Sequence, residues 1–245
     1  MRGIILAAGI SSRLRPLTDK VPKCLLKVGG ISILERTIIG LKENGIGDLV
    51  IVTGYLGEQI RDCVRTKFPE LQVTYVHNAQ YGSTNNIYSF WLTKDAVIGH
   101  DVLLLDSDIV FDPRIIGLLL ASGHESCLAV RSDHRLGEEE IKVRVNPDGS
   151  IAAVGKEVNV QEAIGESIGI EKFGTRSVGE IFEVLDRMIV HEKQLNVFYE
   201  AAFERAIETG TVIMPIDVAH FRCIEIDTAE DLERAAHDVV PFLPR

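Results

Sequence analysis

Residues 6–26 read LAAGISSRLRPLTDKVPKCLL, and they follow directly on the apolar opening MRGII. The chain leaves what its composition marks as a buried strand. It then strings together a glycine, hydroxyls, arginines, prolines and a lysine before turning apolar again. The segment is too polar for core and too rich in turn formers for helix. A loop leaving a buried strand presents consecutive backbone N–H groups, and Gly9 lets an oxyanion approach with no Cβ in the way. Ser11 and Ser12 add hydroxyl donors, and Arg13 and Lys23 add fixed positive charge. Together they describe a cradle for a polyphosphate. It is neither a GxxxxGK[ST] loop nor a GxGxxG turn, because only Gly9 is present.

Outward from this loop, apolar runs alternate with amphipathic segments. GIIL at 3–6, DLVIVTG at 48–54, VTYV at 73–76 and DVLLLDSD at 101–108 read as strands, and residues 33–44 and 58–67 carry helical spacing. Strands that are apolar throughout, separated by helices, predict an α/β fold with a mostly parallel sheet covered on both faces. In such sheets ligands bind beyond the carboxyl ends of the strands, which puts residues 7–13, 53–55, 78–89 and 106–108 on one rim.

Beyond Phe111 the pattern turns β-rich. Short strands are expected at 126–131, 141–146, 151–154 and 168–173, with NPDGS at 146–150 as a hairpin turn. Helices are expected at 177–192 and 198–209, then strands in TVIMPID and FRCIEID. The last helix has Thr228 as N-cap and Asp231 at its third position. With no repeat, low-complexity tract or linker, the chain reads as a single domain over 1–245. A nucleotide-binding half covers about 1–110, and a smaller acceptor-binding half with the C-terminal helix covers about 111–245.

The 245 residues carry a formal charge of −10, which argues against a nucleic-acid or anionic-membrane surface. Cys24, Cys63, Cys127 and Cys223 are scattered without metal or disulfide spacing, as expected of buried thiols in a reducing compartment. No run approaches membrane-spanning length and the N-terminus enters the motif at once, so a cytoplasmic protein is expected. A homodimer is left open.

The opening segment resembles, position by position, the signature LAAGxGxRxxPxTxxxPKxL of the nucleoside-triphosphate transferases of the sugar-nucleotide pyrophosphorylase superfamily. Leu6, Ala7, Ala8, Gly9, Arg13, Pro16, Thr18, Pro22, Lys23 and Leu25 match, and Ser11 stands where the family has a second glycine. The resemblance implies a Rossmann-like mixed sheet of the nucleotide-diphospho-sugar transferase type. It also implies that Leu6 to Gly9, Ser11, Ser12, Arg13 and Lys23 bind nucleotide, with Arg13 and Lys23 catalytic.

In LLLDSDIV, Asp106 and Asp108 are two apart at a strand end, so in extended geometry they share one face. They would serve equally as caps of the next helix. The resemblance places Asp106 with the nucleotide and makes Asp108 a ligand of Mg²⁺, the hard cation a triphosphate needs. Asp227 in EIDTAEDLERA matches the family's second metal ligand.

HNAQYGSTNNIYSFWL at 77–92 resembles the cytidylyltransferase branch, so Thr84, Asn85, Asn86 and Ser89 are expected to read the base of CTP, or else to cap the helix that follows. VGKEV and GESIGI resemble the acceptor side of aminoethylphosphonate and inositol-phosphate cytidylyltransferases. Lys156 would then meet the acceptor phosphoryl group as a catalytic residue, with Glu166 beside it. Tyr199 and Glu200 in FYEAAFERA are expected to receive an ammonium or hydroxyl, whereas Phe198, Ala202 and Phe203 read as core. With no aromatic residue between Phe111 and Phe173, an aromatic cage for a quaternary ammonium is disfavoured.

The function implied is CTP-dependent transfer of CMP to a small phosphorylated alcohol or phosphonate, such as phosphocholine, phosphoethanolamine, 2-aminoethylphosphonate or inositol-1-phosphate, with release of pyrophosphate. A sugar-1-phosphate nucleotidylyltransferase using another triphosphate is the alternative enzyme. A non-catalytic nucleotide-binding regulator is the alternative of another class.

Overall fold

The computed structural model describes residues 1–244. β1 (Arg2–Ala7) is buried from Gly3 onward, and its side chains divide by parity: Ile4 and Leu6 enter one core, Ile5 and Ala7 the other. A short hairpin, β2 (Lys27–Val28) and β3 (Ile31–Ser32), leads into α1 (Ile33–Glu43). The start of α1 is fixed by a capping box in which Ser32 Oγ accepts from the Glu35 N–H and the Glu35 carboxylate accepts from the Ser32 N–H. β4 (Asp48–Thr53), α2 (Gly57–Lys67), β5 (Gln72–His77), α3 (Asn86–Trp91), α4 (Lys94–Val97) and β6 (Val102–Asp106) follow.

β1 pairs in parallel with β4 and β6, and β4 with β5. The parity repeats across them: Val50, Val52, Val102 and Leu104 face the first core, and Leu49, Ile51, Leu103 and Leu105 the second. This double burial is why these strands read as unbroken apolar runs. Each such side chain contributes about 1.5–3 kcal/mol, so the strand ends that carry the site are firmly anchored.

The second half comprises β7 (Ile109–Phe111), α5 (Arg114–Ala121), β8 (Cys127–Arg131), β9 (Lys142–Val145), β10 (Ile151–Gly155), β11 (Gly165–Phe173), α6 (Thr175–Asp186), α7 (Glu200–Glu208), β12 (Met214–Asp217), β13 (Cys223–Glu225) and α8 (Ala229–Arg234). β11 runs antiparallel to β6 and joins both halves in one nine-stranded mixed sheet, ordered β10-β9-β11-β6-β1-β4-β5 with β8 and β12 off this path. β13 pairs antiparallel with β7 and so returns Asp227 to the neighbourhood of Asp108. Thr228 and Asp231 form the expected capping box at α8.

Three departures from the sequence expectations bear on the site. β11 begins at Gly165 rather than at 168 and shifts register between Ser167 and Glu171. Gly169 lies there at φ +72°, and a Cβ would sit 2.7 Å from Asp106 Oδ2. β6 ends at Asp106, so strand alternation does not reach Asp108 and the two carboxylates do not share a strand face. α7 begins at Glu200, two residues late, which exchanges the roles expected of Phe198 and Tyr199. Among the described residues no helix is long and apolar enough to cross a membrane.

Candidate active site

A cleft of about 580 Å³ opens beyond the carboxyl ends of β1 and β6. Leu6, Ala7, Ala8, Gly9, Ser11, Arg13 and Lys23 line its first wall. Ser12 does not: it starts a single helical turn on the outside of the loop and is exposed. Ser11 sits at φ 54°, ψ 54°, with its carbonyl accepting from the Leu14 N–H and from Thr18 Oγ1. The one departure from the family signature therefore falls where glycine would be free of strain, a left-handed position that costs a β-carbon residue about 1–2 kcal/mol. Because glycine gives some of this back through unfolded-chain entropy, Ser11→Gly should stabilise the fold by up to about 1 kcal/mol in denaturant titrations and keep activity. A destabilised Ser11→Gly would mean that the serine hydroxyl carries weight of its own.

Lys23 is 9% exposed and its Nζ lies 2.8 Å from both Asp108 Oδ2 and Asp227 Oδ1. Burial opposes the charge, but the two carboxylates outweigh it and hold the ammonium above its ordinary pKa. Arg13 reaches the other oxygen of Asp227 at 2.8 Å. Glu225, which was not foreseen, completes a cluster with Asp108 and Asp227 whose oxygens lie within 4.8 Å of one another. Burial and the two neighbouring aspartates push Glu225 up to about 8. Three crowded carboxylates present hard oxygen donors of the kind Mg²⁺ takes, so the residues present fit that ion.

The opposite wall is the loop and start of α3. Thr84, Asn85, Asn86 and Ser89 line the cleft, but much of their polarity holds the loop together. Asn78 Nδ2 donates to Thr84 Oγ1 (3.2 Å) and Ser89 Oγ (3.0 Å), Asn85 caps α3 through Oδ1, and Asn86 Oδ1 accepts from the Tyr199 N–H at 3.0 Å. The cap reading is thus met at Asn85, and Asn78 and Tyr81 join the lining.

Lys156, Glu166 and Glu200 also line the cleft. Tyr199 does not reach the cleft, against expectation. It is fully buried, and its hydroxyl lies 2.9 Å from Asp106 Oδ2 and 3.3 Å from Glu171 Oε1. Phe198, expected in the core, is instead 41% exposed and lies under Lys156 Nζ, 5.2 Å from the ring centroid. Burial and the surrounding carboxylates push Asp106 and Glu171 well above the usual range, so Tyr199 ties together two acids that cannot both ionise cheaply. Glu200 is 6% exposed, and burial pushes it up to about 7. Its Oε2 has no hydrogen-bond partner among the described residues. Glu166, also pushed up to about 7 by burial, lies 3.1 Å from His134 Nε2.

One cleft thus joins the loop after β1, a lysine between two aspartates, and a second lysine among acids. The family model of the MobA-like NTP transferase domain matches residues 3–143. CTP:phosphoglutamine cytidylyltransferase of Campylobacter jejuni is 29% identical over 95% of this chain and 98% of its own. Choline-phosphate cytidylyltransferase of Streptococcus pneumoniae is 41% identical over 44% of this chain, a match spanning only 45% of that relative. Among solved structures, CTP:phosphocholine cytidylyltransferase from Streptococcus pneumoniae superposes with a TM-score of 0.79 at 24% identity, over 96% of this chain and 97% of that one. The inositol-1-phosphate CTP transferase from T. maritima gives a TM-score of 0.79 at 21% identity, over 98% of this chain and 97% of that one. At such identities these two bear on the fold, which is that of the nucleotide-diphospho-sugar transferases. The matched region contains the loop, the lysine and Asp108, and the chain belongs to the MobA-like NTP transferase domain family as a nucleotidyltransferase.

Proposed function

We propose that the chain transfers CMP from CTP to a small acceptor that carries an anionic phosphate or phosphonate and a cationic amine, releasing pyrophosphate. The observation that carries the reading is the charge set of a single cleft: Lys23, Arg13 and Lys156 line it together with Glu200, whose buried Oε2 has no hydrogen-bond partner among the described residues. A lysine there suits a phosphoryl oxyanion, and a buried carboxylate oxygen without a partner suits an ammonium. The cytidylyltransferase names among the relatives support the choice of CTP. The four cysteines, all free, support a cytoplasmic enzyme.

An acceptor oxygen attacks the α-phosphorus in line. The new P–O bond forms as the bond to the bridging α–β oxygen breaks, and pyrophosphate leaves with that electron pair. The attacking oxygen is already anionic, so the protein need supply no general base. Its contribution is alignment, worth up to about 7–11 kcal/mol, and preorganised positive charge. Arg13 and Lys23 bind the triphosphate, and Lys156 orients the attacking phosphoryl group. Asp108 and Asp227, with Glu225 alongside, would hold Mg²⁺, which when bound neutralises triphosphate charge.

The test is pyrophosphate release with magnesium, offering CTP, UTP, GTP, ATP and dTTP against phosphoethanolamine, 2-aminoethylphosphonate, phosphocholine, inositol-1-phosphate and sugar-1-phosphates. Release with CTP and an amine-bearing acceptor is expected. Release only with another nucleotide and a sugar-1-phosphate would reassign the substrate, and silence throughout would favour a regulator that keeps the fold.

A further inference from the structure

Lys156, the residue read as receiving the acceptor phosphoryl group, already faces an oxyanion of the protein's own. Its Nζ lies 2.7 Å from Glu139 Oε2. Glu139 belongs to residues 132–141, a strap between β8 and β9 with no strand or helix, and both Glu139 and Glu140 line the cleft.

The placement of that carboxylate is built rather than incidental. Lys142, at the start of β9, is 1% exposed, and its Nζ donates to the carbonyls of Gly137 (3.3 Å), Glu138 (3.2 Å) and Glu140 (3.2 Å). These carbonyls lie on both sides of Glu139. Glu140 Oε2 also accepts from the Gly137 N–H at 2.8 Å, closing the strap on itself. A buried ammonium is tolerated only when its donors are met, and here they are met by the backbone that positions Glu139. In the sequence none of this shows, because GEEE at 137–140 has the composition of a solvated charge run.

We propose that Glu139 is an internal competitor in the acceptor subsite: its carboxylate stands in for the acceptor's phosphoryl group on Lys156 and must be displaced by it, a cost common to every acceptor that a dianionic phosphate or phosphonate is better able to meet than a monoanionic group. The proposal rests on the reading of Lys156 as the acceptor-phosphoryl residue. A sulfonate or phosphodiester carries no more charge than the carboxylate it would replace, so it gains little by the exchange. A dianion gains the second charge.

The experiment titrates methylphosphonate and methanesulfonate at alkaline pH into the full chain saturated with magnesium and a non-hydrolysable CTP analogue, following heat. Wild type, Glu139→Gln, Glu139→Asp and Lys156→Gln are compared. Glu139 is exposed, so its variants fold. Glu139→Gln should bind methylphosphonate more tightly by up to about fivefold, the modest effect expected of an exposed ion pair, and should gain affinity for methanesulfonate. Glu139→Asp, one methylene shorter, should fall between. Lys156→Gln should weaken methylphosphonate. Unchanged or weaker binding by Glu139→Gln, with Lys156→Gln still weakened, overturns the role of Glu139 alone. Unchanged binding by Lys156→Gln overturns the reading of Lys156, and the proposal with it.

Discussion

Lys23→Met should lower kcat/KM for nucleotidyl transfer by about a thousandfold, the upper range for loss of one preorganised charge at a reacting phosphate. It should also destabilise the protein, because Asp108, Asp227 and Glu225 would face one another with only Arg13 to offset them. Removing one partner of a fully buried pair costs about 3–5 kcal/mol, but Asp108 and Asp227 keep roughly a quarter of their side chains in solvent, so about 2 kcal/mol is expected here. The two effects separate in a cycle. Adding Asp108→Asn to Lys23→Met should recover most of the stability while activity stays lost, since the asparagine relieves repulsion but supplies neither the ammonium nor an anionic oxygen for magnesium. Asp108→Asn alone should abolish turnover with the fold intact. Denaturant titrations and pyrophosphate release on the four proteins decide it. Activity within tenfold of wild type in Lys23→Met would remove the lysine from the reaction.

What the sequence displayed and what it hid divide along chain distance. The loop after β1 was legible because its residues are local: Gly9, Arg13 and Lys23 reach one cleft from a single connection, and even the odd residue Ser11 marks a left-handed backbone. The parallel sheet was legible because double burial makes strands apolar throughout. Two boundary errors cost more. Ending β6 at Asp106 instead of 108 sends Asp106 to Tyr199 and Asp108 to Lys23. Starting α7 at Glu200 instead of 198 turns Tyr199 inward and Phe198 outward. Glu225 was within reach of strand parity, standing two residues before Asp227. Glu139 and Lys142 were not, since their roles depend on how β9 pairs with β10 and β11 and on where the strap then falls.

Glu200→Gln should reduce kcat/KM about fiftyfold for an amine-bearing acceptor, matching roughly 2–3 kcal/mol for a hydrogen bond to a charged group, and should leave a neutral polyol phosphate nearly unaffected. The same substitution should make the protein more stable above neutrality. Burial holds the Glu200 carboxyl protonated up to about 7 in the folded chain, against an ordinary value of 4.5. Between those values the folded state binds more protons than the unfolded one. The contribution of Glu200 to stability is therefore fully present below about pH 4.5 and is lost as pH rises through about 7. At about 1.4 kcal/mol for each tenfold difference in proton affinity, the loss reaches roughly 3 kcal/mol by pH 8. Glutamine does not titrate, so the stability difference between wild type and Glu200→Gln should be near zero at about pH 4.5 and grow in favour of the variant toward pH 8. Glu166, which also titrates near 7, is common to both proteins and cancels in the difference. A flat difference across that range would mean that water or the strap already solvates the Glu200 carboxylate, and the case for a buried acid awaiting an ammonium would fail with it. The sloped difference together with selective loss of amine acceptors would mean that the chain gives up folding stability at this position for a charge that only its substrate completes.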